Sequence, residues 1–401
     1  MSSGVAKAVE YLSGAHATTT PAHEIIDAAP PRHTRTRGRA SSSERGARVR
    51  SRHFAIAAMA LATATSCGGA RASKCEVPQA WPPAMPAAVV EAPTTSPAAS
   101  AASETTEPWS DGMSDTAPNR FVETHGIRFA YRAFGRKPGV PLLLLAPFRG
   151  TMDSWDPLLT DALAQGRPVI LFDNAGVGLS SGDAPTTVAD MAKDAETFVD
   201  ALRELHFTDS DWVSGHLDLL GFSLGGFVAQ QLALNRPDVI DRVVLAGTAP
   251  RGGEGFATPP REIATSETAG PQTPRDVLFL LFARSEASEA AGRAFLARVG
   301  SRQRDRDSSV TTKTILAQLA AMKAWGAAPR TGPYSYLSGV KQPVLVADGE
   351  ADVVMPTTNS RALAQSLPSA RLVIYPDSAQ GFLFQYPDAF AKDVAAFLRR
   401  P

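Results

Sequence analysis

One serine constrains this chain more than any other residue. Ser223 stands in the run Gly221-Phe222-Ser223-Leu224-Gly225-Gly226, between a strand-like stretch at 217–222 and a helix-forming stretch at 224–235. A serine held on so tight a strand-to-helix turn leaves no room for side chains on its flanks, which accounts for glycine at 221 and 225. The same turn places the unpaired N–H groups of the helix start beside the serine oxygen. The bare pattern G-x-S-x-G arises often by chance. Between a buried strand and a helix it marks a nucleophile.

The surrounding pattern says what sheet that strand belongs to. Residues 120–123 and 127–134 read as two strands turning at His125-Gly126, and 141–146 (PLLLLA) is a continuous apolar run, the mark of a strand buried on both faces. Helix 153–164, strand 168–173, helix 188–205, strand 217–222, helix 224–235 and strand 239–247 follow. The alternation closes with strand 343–348, helix 357–367, strand 371–375 and helix 389–399. The expected fold class is therefore α/β, with a doubly wound, mostly parallel sheet of eight strands. Between about 250 and 341 there is no clear strand, only helical segments such as 277–283, 291–299 and 312–325. An insertion of that kind forms a helical cap over the carboxyl edge of the sheet, where ligands bind. Phe279, Phe282, Phe295, Met322 and Trp325 are its candidate pocket residues, although apolar residues at helical spacing are most often core.

Two further loops carry expected chemistry. The segment Ala146-Pro147-Phe148-Arg149-Gly150 follows the PLLLLA strand, and the Phe148 N–H, with the Leu224 N–H, is the expected oxyanion hole. Arg149 beside it reads as a functional or a structural cation. The strand at 343–348 leads into Asp348-Gly-Glu350-Ala-Asp352, where Asp352 is the expected acid and Asp348 and Glu350 are weaker candidates. The next strand leads into Tyr375-Pro-Asp377-Ser-Ala379-Gln380-Gly381.

From about residue 119 to the end, the chain resembles the α/β-hydrolase fold family, in particular its capped esterase and haloperoxidase-like serine hydrolases. FRGTMDSWDP, FDNAGVGLSSG, LLGFSLGGFVAQ, LAGTAPRGGEG and YPDSAQGFLFQYP carry the resemblance. It implies hydrolysis of ester-type bonds of a small molecule by Ser223 and Asp352, with no cofactor and no metal. It also implies a histidine at position 380 and commonly one at 147. Here those positions are Gln380 and Pro147, and Ala379 replaces the usual glycine. Three departures around one pocket look like drift rather than a single change.

No histidine follows Ser223: all seven (His16, His23, His33, His53, His125, His206 and His216) precede it. His216 begins the strand that leads to the serine, about 20 Å away at about 3.3 Å per residue. His206 lies at the same far end, and His125 lies in the first hairpin. Glutamine exchanges hydrogen bonds but does not take up a proton near neutral pH, and loss of the base from a serine triad costs about a millionfold in turnover in the best-studied case. The expected function is thus an impaired or inactive hydrolase-fold protein that binds a small ester-like or apolar ligand. The alternative is an active ester hydrolase using Ser223 with a non-histidine base, for which Asp377 is the nearest acid.

The first 118 residues differ in kind. Eight arginines and one acid occupy 32–52, an apolar run fills 54–64, and Thr65-Ser66-Cys67-Gly68 closes it. Positive residues, then about 7–15 apolar residues, then small ones form a secretory signal. Ala64-Thr-Ser-Cys67 resembles a bacterial lipoprotein box in which Cys67 would carry the lipid anchor. The expected organisation is a leader at 1–67 with its signal at 49–67, a linker at 68–118 rich in Ala, Pro, Ser and Thr, and the folded domain at 119–401. The signal could begin at Val49 as initiator. A secreted or cell-envelope location follows, with a cytoplasmic chain as the other reading. Both cysteines, Cys67 and Cys75, precede the domain, which excludes a disulfide framework within it. The formal net charge of zero and 44% apolar residues give no sign of a nucleic-acid partner.

Overall fold

The computed structural model describes residues 24–27, 113–135, 139–206, 215–268, 272–329, 332 and 334–400. The linker at 68–112, the arginine-rich run and both cysteines lie outside them. In chain order the strands are β1 (Glu24–Asp27), β2 (Arg120–Thr124), β3 (Ile127–Phe134), β4 (Leu142–Leu145), β5 (Val169–Phe172), β6 (Leu217–Phe222), β7 (Ile240–Ala246), β8 (Val344–Gly349) and β9 (Ala370–Tyr375). The helices are α1 (Pro157–Ala164), α2 (Val188–His206), α3 (Leu224–Asn235), α4 (Arg261–Thr268), α5 (Pro274–Leu281), α6 (Glu286–Val299), α7 (Thr312–Ala327), α8 (Thr358–Ser366), α9 (Phe382–Gln385) and α10 (Pro387–Leu398).

The nine strands among the described residues form one sheet in the order β1-β9-β8-β7-β6-β4-β5-β3-β2. From β5 through β4, β6, β7 and β8 to β9 the neighbours run parallel, while β2, β3 and β1 join antiparallel at the two edges. Eight strands are those the apolar runs indicate. The ninth, β1, comes from residues read as leader and pairs with β9 from Glu24↔Ile374 to Asp27↔Arg371.

The two-faced burial expected of the PLLLLA run is present. Along β4, Leu143 and Leu145 join the core on one face of the sheet, with Phe198, Phe227 and Leu232. Leu142 and Leu144 join the core on the other, with Trp155, Phe222 and Phe390. Alternate residues of one strand thus feed two cores, which is why no polar position interrupts it.

The helix expected over 153–164 is split. A short 3-10 turn, Met152–Ser154, is closed by reciprocal hydrogen bonds between Thr151 and Ser154, and α1 starts only at Pro157 behind Asp156. Proline at the first helical position disfavours helical backbone in the residue before it and leaves Asp156 free to cap. Between β7 and β8 the insertion is helical as expected, comprising α4 to α7. In the sheet the chain reverses direction of winding at β4, since β5 lies on one side of it and β6 on the other. The crevice outside the carboxyl ends of β4 and β6 is the ligand position of an open α/β sheet.

Candidate active site

Ser223 occupies that crevice. It is the residue between β6 and α3 and is held at φ 53°, ψ −118°, a conformation that side chains disfavour. The flanking glycines are explained by contact: a Cβ on Gly221 would strike the Gly225 carbonyl, and one on Gly225 would strike the Leu145 carbonyl at the end of β4. Close approach of Gly225 to β4 is what brings the loop after β4 against the serine. In that loop the Gly150 N–H donates to Pro147 O, and Arg149 sits at φ 60° with its N–H donating to Gln318 Oε1 of α7. Phe148, between them, lines the same cavity as Ser223. Leu224 is the first residue of α3, where an N–H has no partner within the helix. Of the two expected oxyanion donors, Phe148 lines the cavity and Leu224 directly follows Ser223 at the start of α3.

Gln380 is the decisive neighbour. Its Nε2 donates to Ser223 Oγ and to the Gly247 carbonyl, each at 3.2 Å, and the side chain is buried. A carbonyl oxygen can only accept, so the amide must present its nitrogen there. The serine hydroxyl consequently receives a hydrogen bond from position 380 and has no proton acceptor in it. The loop is fixed from the cap side, because the Gly381 N–H donates to Leu281 O of α5.

Asp352 lies where the acid was expected, buried after β8, with Oδ1 accepting the N–H groups of Val354 and Met355 at 2.8 Å. Its Oδ2 is buried and meets no N–H or O–H donor among the described residues. Asp348 is its buried neighbour at the end of β8, held by Ser360 Oγ and the Gly349 N–H. Burial pushes Asp352 up to about 7 and Asp348 well above the usual carboxylate range. In the sequence Asp348 looked like a weaker alternative acid; in the structure it is the partner of Asp352. Glu350 stays outside this pair.

The other candidates separate cleanly. Asp377 is exposed and accepts a hydrogen bond from Ser285 Oγ at 2.7 Å, and it does not line the cavity. His125 is in the β2–β3 turn, His206 ends α2, and His216 precedes β6 with Nδ1 2.8 Å from Asp241 Oδ1. Neither His125 nor His216 lines the cavity. The remaining four histidines lie outside the described residues.

The cavity over Ser223 has a volume of about 230 Å³. Its apolar wall comes mainly from the cap and α9: Val277, Leu280, Leu281, Phe295, Val299 and Phe384. Of the five cap residues named from sequence, only Phe295 contributes. Met322 and Trp325 are core, Trp325 stacking on Phe227 with centroids 5.3 Å apart. Phe282 packs beside Phe295, and Phe279 is partly buried against the core. The polar wall, including Asp153 and Arg306, gave no signal in sequence because its partners are far apart along the chain.

Comparison with known proteins agrees with this geometry. A family model described as alpha/beta hydrolase fold matches residues 140–387. This chain belongs to the alpha/beta hydrolase fold family. An alpha/beta hydrolase fold protein from Chitinophaga pinensis is 39% identical, with a TM-score of 0.65 over 72% of this chain and 100% of that one. A hydrolase from Pseudomonas aeruginosa shares 26% identity with a TM-score of 0.53, over 71% of this chain and all of its own. Among curated relatives, a candidate carbamate hydrolase, RutD, of Rhizobium rhizogenes is 26% identical over 68% of this chain and 98% of its own. A candidate non-heme bromoperoxidase, BpoC, of Mycobacterium tuberculosis is 26% identical over 66% and 94%.

Proposed function

We propose that this family member binds a small ester-like or apolar ligand over Ser223 and hydrolyses it slowly or not at all. The observation that carries the reading is the Gln380 Nε2 contact with Ser223 Oγ at 3.2 Å. Attack by a serine needs its proton removed as the new bond forms. The side chain in place to do so instead offers a proton. The nucleophile turn and the oxyanion donors retain the means to hold an acyl group, and those alone leave about 10³–10⁴ of rate over water. Hydrolysis with an acid as base finds little support, since Asp377 is exposed and engaged by Ser285.

The test is hydrolysis of a short-chain nitrophenyl ester by the unmodified protein, together with phosphonate labelling of Ser223. The expected result is turnover near background with slow labelling. Fast turnover abolished by Ser223→Ala would overturn the reading. For location, the arginine run, apolar run and Cys67 support an envelope lipoprotein, and incorporation of labelled palmitate lost in Cys67→Ser is the corresponding measurement. Those residues lie outside the described ones.

A further inference from the structure

Arg149 holds a backbone conformation that its side chain disfavours, and a cap residue is bonded to the peptide that adopts it. Pro147 O accepts the Gly150 N–H at 2.9 Å, so residues 147–150 form a tight turn. At its third position Arg149 has φ 60°, while Phe148 before it has a negative φ. A turn of that kind ordinarily takes glycine at the third position. The alternative, with negative φ at both central positions, suits arginine and reverses the peptide between them. Two features accompany the less favoured form. Gly150 has no side chain to strike the Pro147 ring, which a Cβ would meet at 2.6 Å. From the cap, Gln318 Oε1 accepts the Arg149 N–H at 2.9 Å. Reversing the Phe148–Arg149 peptide would turn that N–H away from the glutamine and break the bond.

Gln318 is 2% exposed on α7, and that helix is itself anchored. Trp325 of α7 stacks on Phe227 of α3, and Thr314 Oγ1 donates to Gly176 O at 2.7 Å in the segment after β5. The helix that follows the nucleophile and the helix that bonds the loop opposite it are thus packed together. The same loop carries the Phe148 N–H, which donates to no acceptor among the described residues and so is open to a ligand oxygen. We propose that Gln318 is a positioning residue for the oxyanion hole: by accepting the Arg149 N–H it keeps the turn in the conformation that aims the Phe148 N–H at a ligand on Ser223. The inference rests on the reading of Ser223 as a residual nucleophile, and it makes the cap, with the sheet, responsible for completing the site.

Labelling of Ser223 in the full chain by a nitrophenyl alkylphosphonate reads the hole directly. The Ser223 Oγ–P bond forms, nitrophenolate leaves with its electron pair, the serine proton passes to water, and the hole holds the phosphoryl oxygen. Deleting one oxyanion donor costs about 10²–10³ in rate, and a donor displaced instead of deleted costs part of that. The near-isosteric Gln318→Met is expected to slow labelling about tenfold or more, whereas Gln318→Glu, which keeps an acceptor at the same reach, should stay within about threefold. Arg149→Gly supplies the control for packing. Glycine takes positive φ without help, so in that background Gln318→Met should cost less than about threefold. An equal loss in both backgrounds would mean that Gln318 merely fills the core and would overturn the proposal, as would an unimpaired Gln318→Met. Crystal structures add a readout independent of labelling. In Gln318→Met, Arg149 is expected to leave φ 60° for a negative value, and an unchanged φ would overturn the proposal even where labelling is too slow to follow. Fast ester turnover in the unmodified protein would defeat the impaired-hydrolase reading and leave these ratios standing.

Discussion

Gln380 Nε2 bridges Ser223 Oγ and the Gly247 carbonyl, 3.2 Å from each. An amide in that position orients the serine while leaving its proton in place. The surroundings of Gln380 remain those of a base: a buried loop after β9, the nucleophile opposite, and a buried acid after β8. A histidine at 380 therefore needs little rearrangement. Gln380→His is expected to raise kcat/KM for a nitrophenyl ester by about a thousandfold or more, with a rate that rises through about pH 6.5 as the imidazole loses its proton. A variant that labels readily at Ser223 yet stays as slow as the unmodified chain would mean that more than the base is missing, and Pro147 would be the next residue to change.

The Asp348–Asp352 pair sets a pH dependence of stability. Burial raises both groups, Asp352 to about 7. Asp173, buried between the N–H groups of Met152 and Leu179, is raised to about 8. Each binds more protons in the folded chain than in the unfolded one, where carboxyls titrate near about 4. The slope of stability with pH is then negative. Stability is fullest below about pH 4 for these groups and is lost as pH rises through 7 and 8. Other carboxylates, ion-paired in the fold, act in the opposite direction at low pH, so the difference is read between pH 5.5 and 8.5. Asp352→Asn keeps the acceptor for Val354 and Met355 and offers Asp348 a permanent donor. It is expected to melt about 2–4 °C above the unmodified protein at pH 8.5, with the gap closing at pH 5.5. A gap of the same size at both pH values would show that the raised carboxyls do not set this pH dependence.

Most of the fold was legible in sequence because its signals are local. Apolar runs gave β4, β6 and β8, and Gly221, Ser223 and Gly225 gave the nucleophile turn, whose requirement is steric and contained in a few residues. The Asp156-Pro157 start of α1 is equally local, yet the expected helix begins at 153, four residues before Pro157, because the separate 3-10 turn at Met152–Ser154 adjoins it. What sequence could not show depends on distance in space. Asp348 and Asp352 are four residues apart, yet the rise in both carboxyls follows from burial that only the folded chain creates. The Arg132–Asp153–Asp307 cluster joins a strand, a loop and the cap. Periodicity does not separate pocket from core among the cap candidates, since Trp325 and Phe295 carry the same helical spacing and differ only in what faces them.

Gly225 provides a direct test of how closely β4 and α3 must approach. A Cβ there meets the Leu145 carbonyl and then that of Ala146, both backbone atoms at the carboxyl end of β4, so neither can give way as a flexible side chain would. Gly225→Ala is expected to lower stability by about 3 kcal/mol or more, read as a shift of the urea midpoint, or to leave the chain insoluble. At Gly126, where nothing lies within 4 Å of a Cβ, the φ of 78° makes alanine cost only backbone strain, about 1–2 kcal/mol. Equal effects at the two sites would show that close packing at 225 is not what selects glycine.

The final prediction concerns β1, which closes the β9 edge of the sheet. Its four residues pair antiparallel with Arg371–Ile374, a stretch whose other side is occupied by β8. With β1 removed, β9 presents unpaired N–H and C=O groups along an apolar strand, the kind of edge at which sheets add further strands. The parallel strands from β5 to β9 pair with one another and not through it. Deleting residues 1–32 is therefore expected to leave the domain folded, to lower its melting temperature by about 2–4 °C, and to increase self-association. Thermal melts and light scattering at two protein concentrations measure both effects. The comparison also bears on the leader, because cleavage before Cys67 would produce a chain without β1. The intact mass of the protein isolated from its own cells tells which edge the working molecule carries. If the truncated chain melts and associates like the full one, β1 contributes nothing to closing the sheet.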